Sequence, residues 1–221
     1  MGEPEPVPSA APSPVPSAVP SAVPSPVPAP ALHPLLRSRW SPRVWDTAHE
    51  ASPAEVESLL EAARWAPSAG NSQPWAFIVG RRGDDVHRRL VRHLARSSAG
   101  WAPSASLLVA NVCHRHVAGT DGDYSEFAAY DLGQAVAHLT FQAAALGLAV
   151  RQFAAFDREG LSREFAVAEH WQVTTMSAIG RVPASVEPHA LVLADGGHLP
   201  RDRRPLADLR WDPANPVITD S

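Results

Sequence analysis

The stretch Ala66-Pro67-Ser68-Ala69-Gly70-Asn71-Ser72-Gln73-Pro74-Trp75 decides how this chain is read. On its N-terminal side, Ser52-Pro53-Ala54-Glu55 is a capping box with proline at the first helical position. Val56, Leu59, Leu60 and Ala63 then recur at helical spacing. A helix is expected to about Trp65, stopping at Pro67, because proline excludes the α conformation from the residue before it. On the C-terminal side, Trp75 to Val79 reads as a short buried strand. A plain connector between the two would need only a turn. This one presents hydroxyl and amide groups on Ser68, Asn71 and Gln73, and Gly70 lets the backbone approach a ligand closely.

Outward from this loop the chain alternates strands and helices. Asp84 to Arg96 is expected as an amphipathic helix, with Val86, Leu90 and Leu94 on one face and arginines on the other. Leu107 to Val112 reads as a buried strand and Ser125 to Leu146 as a long helix, with Gly147 as its C-cap. Further strands are expected at Ala149 to Phe153, Val173 to Ile179 and Ala190 to Leu193, with a helix capped by Asp157 running through Phe165. The connections vary in length and do not repeat as βαβ units. The expected class is therefore α+β, a central sheet covered by helices.

Residues 1–32 are almost entirely Pro, Ala, Ser and Val. Proline this dense removes backbone donors and fixes φ, so an extended, polyproline-like arm is expected. It is read as a solvated spacer, with a docking segment for a proline-reading partner as the alternative. Residues 33–213 are of a size for one domain with a full core, and 214–221 form a short tail. Net charge is −4, every basic residue is arginine, and no basic stripe with interleaved aromatics occurs, so nucleic acid is not an expected partner. A lone cysteine, Cys113, permits no internal disulfide and fits a reducing compartment. No secretory signal or membrane span is read: the longest apolar run, Leu132 to Val150, is interrupted by Gln134, His138 and Gln142. A cytoplasmic location is expected.

Two basic segments flank the loop in sequence. In Arg39-Trp40-Ser41-Pro42-Arg43, alternate residues of an extended chain face one side, so Arg39, Ser41 and Arg43 are able to grip one phosphate. Planar guanidinium groups bind oxyanions bidentately. Trp40 is read either as packing on a ring or as plugging the domain. Arg201 and Arg203 alternate in the same way before Pro205. Each segment alone reads equally as a solvated basic run. His114 and His116 alternate beside Cys113, but no second ligand pair at metal spacing appears, and no metal is expected.

Together these segments resemble the nitroreductase family of FMN-dependent oxidoreductases. The likeness covers His33 to about Trp211. Its Arg-x-Ser-x-Arg motif is matched by Arg39 to Arg43, and its Ala-Pro-Ser-x-x-Asn-x-Gln-Pro-Trp motif by Ala66 to Trp75. Asp131-Leu132-Gly133-Gln134-Ala135 and Ala145-Leu146-Gly147-Leu148 match two segments of its long helix, and Arg201, Arg203 and Pro205-Leu206 match its closing basic pair. The resemblance implies a mainly antiparallel sheet flanked by helices and an intertwined homodimer with FMN at the interface. It implies that Arg39, Ser41 and Arg43, with Trp40 between them, hold the FMN phosphate and ribityl chain, closed by Arg201 and Arg203. Pro67, Ser68, Ala69 and Asn71 come from the other subunit, with Gln73 beside them. Gln152, Phe153 and Ala154 run along the isoalloxazine with backbone N–H groups.

The implied reaction is ping-pong hydride transfer from NAD(P)H through flavin N5 to a small electron-poor acceptor, a nitroaromatic or a quinone. The cofactor carries the chemistry and no protein group is catalytic, which agrees with the absence of a Gly-x-Ser-x-Gly elbow or a convincing Ser/His/Asp set. Two other readings stand beside it: a non-catalytic flavin-binding or interaction module recruited through its arm, and a specialised dehydrogenase or dehalogenase of the same fold. The chain departs from the pattern at Ala69, where a second serine is common, at Ala154-Ala155, and at Arg181. Arg151 is read either as a charge beside the flavin that stabilises its reduced anion or as a surface arginine after a strand. The loop from Ala118 to Tyr124 is expected near the substrate entrance.

Overall fold

Helix α2 (Pro53–Arg64) forms because its first turn is closed reciprocally. The Ser52 side chain accepts from Glu55 N–H, while Glu55 Oε2 accepts from Ser52 N–H at 2.7 Å. Its buried face, Leu59 and Ala63, meets the long helix α5 (Ala128–Ala145) through Ala135, Leu139 and Ala143. Glycine ends α5 as expected: Gly147 takes φ 72°, Leu148 N–H donates to Ala143 O and Gly147 N–H to Ala144 O, a Schellman pair.

The computed structural model describes residues 30–186 and 202–211. Residues 1–32 form one unit and residues 33–221 a second, which carries all the elements below. Four strands, β1 (Trp75–Arg81), β2 (Leu107–His114), β3 (Ala149–Phe153) and β4 (Trp171–Gly180), pair antiparallel in the order β1-β2-β4-β3. The expected strand at Ala190 to Leu193 lies outside the described residues. The two sheet faces bury separate cores. One sets Leu107, Val109, Val150 and Ile179 under α2 and α5. The other sets Leu108, Ala110, Val112, Met176 and Ala178 under α3 (Asp85–Arg92) and α6 (Arg158–Glu164), with α4 (Arg96–Ala99) beside them in the chain. Helices on both faces of an antiparallel sheet make the α+β class.

Several strand and helix ends shift by two or three residues from the sequence expectation, and two larger differences stand out: an early helix end and an added turn of helix. The helix expected over Asp84 to Arg96 ends at Arg92, with His93 as its cap. There the chain turns to pair with another segment: His93 O accepts from Asp157 N–H, Ala95 N–H donates to Ala155 O, and Leu94 bridges Phe156. Tertiary hydrogen bonds override a helical pattern that continued on paper. The other is α1 (Pro34–Ser38), a single turn with proline at its start, capped by His33 Nδ1. It leads into the segment from Arg39 onward.

Candidate functional site

The ten-residue loop is built around one buried carboxylate. Asp131, in the first turn of α5, is 2% exposed and accepts from Ala69 N–H through Oδ2 at 3.0 Å. Its Oδ1 accepts from Gln134 Nε2 at 3.2 Å. Inside the loop, Ser68 Oγ accepts from Gln73 N–H (3.0 Å), and Gln73 Nε2 donates to Asn71 Oδ1 (3.2 Å). Gly70, Asn71 and Gln73 all have positive φ, near 57°, 55° and 46°. Left-handed backbone at non-glycine residues is costly and persists only when surrounding contacts fix it. Asp131 and Ser68 are those contacts. Asp131 is the residue whose role the sequence hides: the motif carries it, but nothing in the motif says that it tethers a loop 62 positions away. The one available signal is an acid at a helix position facing the apolar side.

A second group of candidate residues gathers on β3. Arg39 Nη1 donates to Ser41 Oγ at 3.4 Å. Both line a cavity of about 300 Å³ together with Gln152, against an apolar wall of Ala137, Phe141 and Val150, and Thr140. Alternation along β3 explains the lining, since Val150 and Gln152 face the α5 side of the sheet. Arg151 and Phe153 face the other way. The Phe153 ring packs on the far side against Trp101, with ring centroids 5.0 Å apart, and against Phe156, so only its backbone can serve the Gln152 side. Trp40 lines an adjacent cavity of about 210 Å³ at the C-terminal end of α5, with Arg39, Thr140 and Gly147.

Arg43 and Ala154 are exposed, and Arg43 lies close enough to Arg151 for the two charges to repel. Arg151 is half-buried and donates from Nη1 to the carbonyl of Ser41 at 2.6 Å. Its guanidinium sits over the Trp101 ring, 5.2 Å from the centroid. Burial, and then Arg43, pull its pKa below the usual arginine value. Arg203 is exposed and donates to Asp202 O at 2.7 Å, within its own segment. Arg201 lies outside the described residues.

Among the described residues, none of the loop lines the cavity on β3. The loop is anchored at Asp131, whereas the cavity uses Ala137, Thr140 and Phe141 of the same helix. At 1.5 Å rise per residue, these residues stand roughly 9–15 Å from the anchor along α5.

The segment 118–124 bends back on itself and ends on the polar loop. His116 bridges Asp123, Val117 N–H donates to Gly122 O at 2.8 Å, and Tyr124 Oη donates to Ser72 O at 3.1 Å. The Tyr124 ring stacks on His114 (centroids 3.7 Å apart), which also stacks on Trp171 (4.4 Å). Burial, and then His170, lower the His114 pKa. Among the described residues, no group of three or more His, Cys, Asp or Glu side chains converges as a metal site.

One constellation mimics a hydrolase. His49 Nδ1 lies 2.9 Å from Ser106 Oγ, and His49 Nε2 lies 3.4 Å from Glu55 Oε1. Ser106 is 2% exposed, and its hydroxyl donates to the carbonyl of His49 at 2.9 Å. A buried hydroxyl whose proton is held by a carbonyl is not poised to attack a substrate. The set locks the segment before α2 onto the start of β2.

A family model described as "Nitroreductase family" matches residues 36–105. A Streptomyces coelicolor protein that bears the name NADH dehydrogenase/NAD(P)H nitroreductase is 28% identical over 165 residues, which is 62% of this chain and 81% of the relative. An oxygen-insensitive NADPH nitroreductase of Helicobacter pylori (strain J99) is 36% identical over 59 residues, 27% of this chain and 28% of the relative. Among solved structures, an oxidoreductase containing FMN superposes with a TM-score of 0.73 at 27% identity, over 83% of this chain and 92% of that one. A protein of Exiguobacterium sibiricum in complex with FMN superposes with a TM-score of 0.65 at 18% identity, over 80% and 95% of the two chains, and so bears on the fold alone. No helix among the described residues is long and apolar enough to cross a membrane.

Proposed function

The chain belongs to the nitroreductase family, and from that premise we propose that it is an FMN-dependent oxidoreductase. It takes electrons from NAD(P)H and passes them to a small electron-poor acceptor, a nitroaromatic or a quinone. The observation that carries this reading is the cavity on β3. Two basic or hydroxyl groups, Arg39 and Ser41, stand at one side, the Gln152 amide at another, and Phe141, Val150 and Ala137 form an apolar wall. A ligand with an anionic end, a polyol middle and a flat aromatic body matches that division, and FMN is such a ligand. Arg43 and Arg151 add positive charge next to Ser41.

Arg39, Ser41 and Arg43 would hold the phosphate, and Gln152 with the backbone of Phe153 and Ala154 would lie along the ring. When bound, FMN supplies two-electron transfer between a nicotinamide donor and the acceptor. The protein's own share is binding, orientation and the exclusion of side reactions. Pro67, Ser68, Ala69, Asn71 and Gln73 would complete the site from a second copy; in support, none of them lines the cavity of its own chain, and their anchor at Asp131 stands roughly 9–15 Å along α5 from Ala137, Thr140 and Phe141. Arg201 and Arg203 would close on the phosphate from the C-terminal segment.

The test has two parts. The purified protein is expected to be yellow, to release FMN at about one per subunit on denaturation, and to consume NAD(P)H steadily when given a nitroaromatic. A colourless protein that refuses added FMN would overturn the reading. For the shared site, Arg39→Ala and Asn71→Ala variants should each bind FMN weakly. Refolded together in equal amounts, they should regain about a quarter of the sites, since each mixed dimer of two-fold symmetry assembles one site free of either change. If mixing restores nothing, loop and cavity belong to one chain.

A further inference from the structure

Arg151 is a partly buried charge that no ion pair among the described residues explains. Its guanidinium is half-buried on β3, beside another cation, Arg43, that repels it. Its Nε is buried with no partner. Among the described residues no carboxylate pairs with it; what it holds is the carbonyl of Ser41, at 2.6 Å, and the face of Trp101. A like-charged, partly desolvated arginine with one neutral acceptor is a poor stability device. As a part of an anion site it makes sense.

The geometry supports that role on both sides of the sheet edge. Ser41 presents its carbonyl to Arg151 and its side chain to the cavity, next to Arg39. The bond to Arg151 therefore fixes the backbone at the middle of the Arg39-to-Arg43 segment. Trp101, itself held by its indole N–H donating to Ser97 O at 2.9 Å, sets the plane of the guanidinium. We propose that Arg151 is a positioning residue for the phosphate group of the flavin: it braces Ser41 so that Arg39 and Arg43 stand preorganised, and its charge raises the affinity for a dianion. This rests on the FMN reading above. It gives Arg151 a part in holding the Arg39-to-Arg43 segment and not in the redox chemistry of the ring.

Arg151 then contributes to the preference for FMN over riboflavin, which has the same ring and polyol but no phosphate. The experiment titrates apo-protein with FMN and with riboflavin, following the quenching of flavin fluorescence, for wild type, Arg151→Met and Arg151→Lys. Methionine keeps the unbranched stem and drops the charge and the donor. Arg151→Met is expected to weaken FMN binding about tenfold, the loss of one charge-assisted contact. Riboflavin binding should change less than about twofold, because a ligand without phosphate gains nothing from the brace. Arg151→Lys, which restores the charge without the planar fork, should recover part of the FMN affinity at low salt and lose it at high salt.

A merely structural role would lower both affinities together and leave the FMN-to-riboflavin ratio at its wild-type value. That outcome overturns the inference. So does an unchanged affinity for both. If the wild-type protein itself binds neither flavin, the FMN reading fails, and the inference fails with it; if the wild type prefers FMN and only the Arg151→Met ratio is unmoved, the inference alone is lost.

Discussion

Asp131→Ala should loosen the polar loop before it unfolds the domain. The carboxylate is almost fully buried and holds the Ala69 N–H at 3.0 Å, so the bond is charge-assisted and worth about 1.5–3 kcal/mol. Its position in the first turn of α5 adds about 0.3–1 kcal/mol through the helix dipole. Against these stands the desolvation of a carboxylate, which the substitution relieves. The balance is a loss of about 2 kcal/mol for Asp131→Ala, and about 1 kcal/mol for Asp131→Asn, whose amide oxygen can still accept from Ala69. At roughly 2–4 °C per kcal/mol for a domain of this size, Tm should fall by about 4–8 °C and 2–4 °C. Calorimetry checks the totals, and amide hydrogen exchange checks the cause. With its tether gone, a loop holding three left-handed residues should relax, and the N–H groups of Asn71, Ser72 and Gln73 should lose protection well beyond the global loss. If Asp131→Ala stays within about 0.5 kcal/mol of wild type, or if those amides exchange no faster than the core predicts, the loop is not held by Asp131.

Two further outcomes are expected. Gly80→Ala should be severe, because a Cβ there would meet the backbone N of His87 at 2.5 Å and its Cα at 2.6 Å, so α3 must lift off β1; we expect a loss of at least about 2 kcal/mol in urea unfolding. Glu164 accepts from Arg89 Nε (2.9 Å) and Arg92 Nη2 (2.6 Å), chiefly the first of which holds its carboxyl at about 2. Its folded pKa lies below the ordinary glutamate value near ~4.3, so its contribution is complete above that pH and drains away as pH falls towards about 2; Glu164→Gln should flatten the acid limb of the urea midpoint against pH over that window, and an unchanged limb would mean that other carboxylates carry it.

Much of the fold was legible because its signals are local. The capping box at Ser52, the glycine at Gly147 and the apolar run at Leu107 each act through near neighbours, and each element lies where its signal stands. The end of α3 was not legible, because its cause is distant: the partners of His93 and Ala95 lie at Asp157 and Ala155. The pairing order β1-β2-β4-β3 was hidden for the same reason, since β3 and β4 are joined through α6 while β4 inserts beside β2. At the candidate site, residue types were readable and their directions were not. Gln152 and Phe153 are neighbours in sequence, but alternation sends one side chain to the α5 face and the other to Trp101.

The loop and the arginine segment show the same limit at a larger scale. Read along the chain, both look like parts of one anionic site. In space, α5 joins them and also separates them: its first turn tethers the loop through Asp131, and its middle, at Thr140 and Phe141, walls the cavity that Arg39 and Ser41 line. A helix is a stiff connector, so the roughly 9–15 Å between Asp131 and the wall residues Ala137, Thr140 and Phe141 is fixed. Either the two groups bind different things, or a second copy brings its own loop to this cavity. The loop's strained backbone favours the second: cost at Asn71 and Gln73, held in place by a buried carboxylate, is retained where a shape must be ready for a ligand. On the proposed two-copy reading, α5 would work as a spacer that faces the loop of one copy towards the arginines of the next, and the mixed refolding of Arg39→Ala with Asn71→Ala is the measurement that decides it.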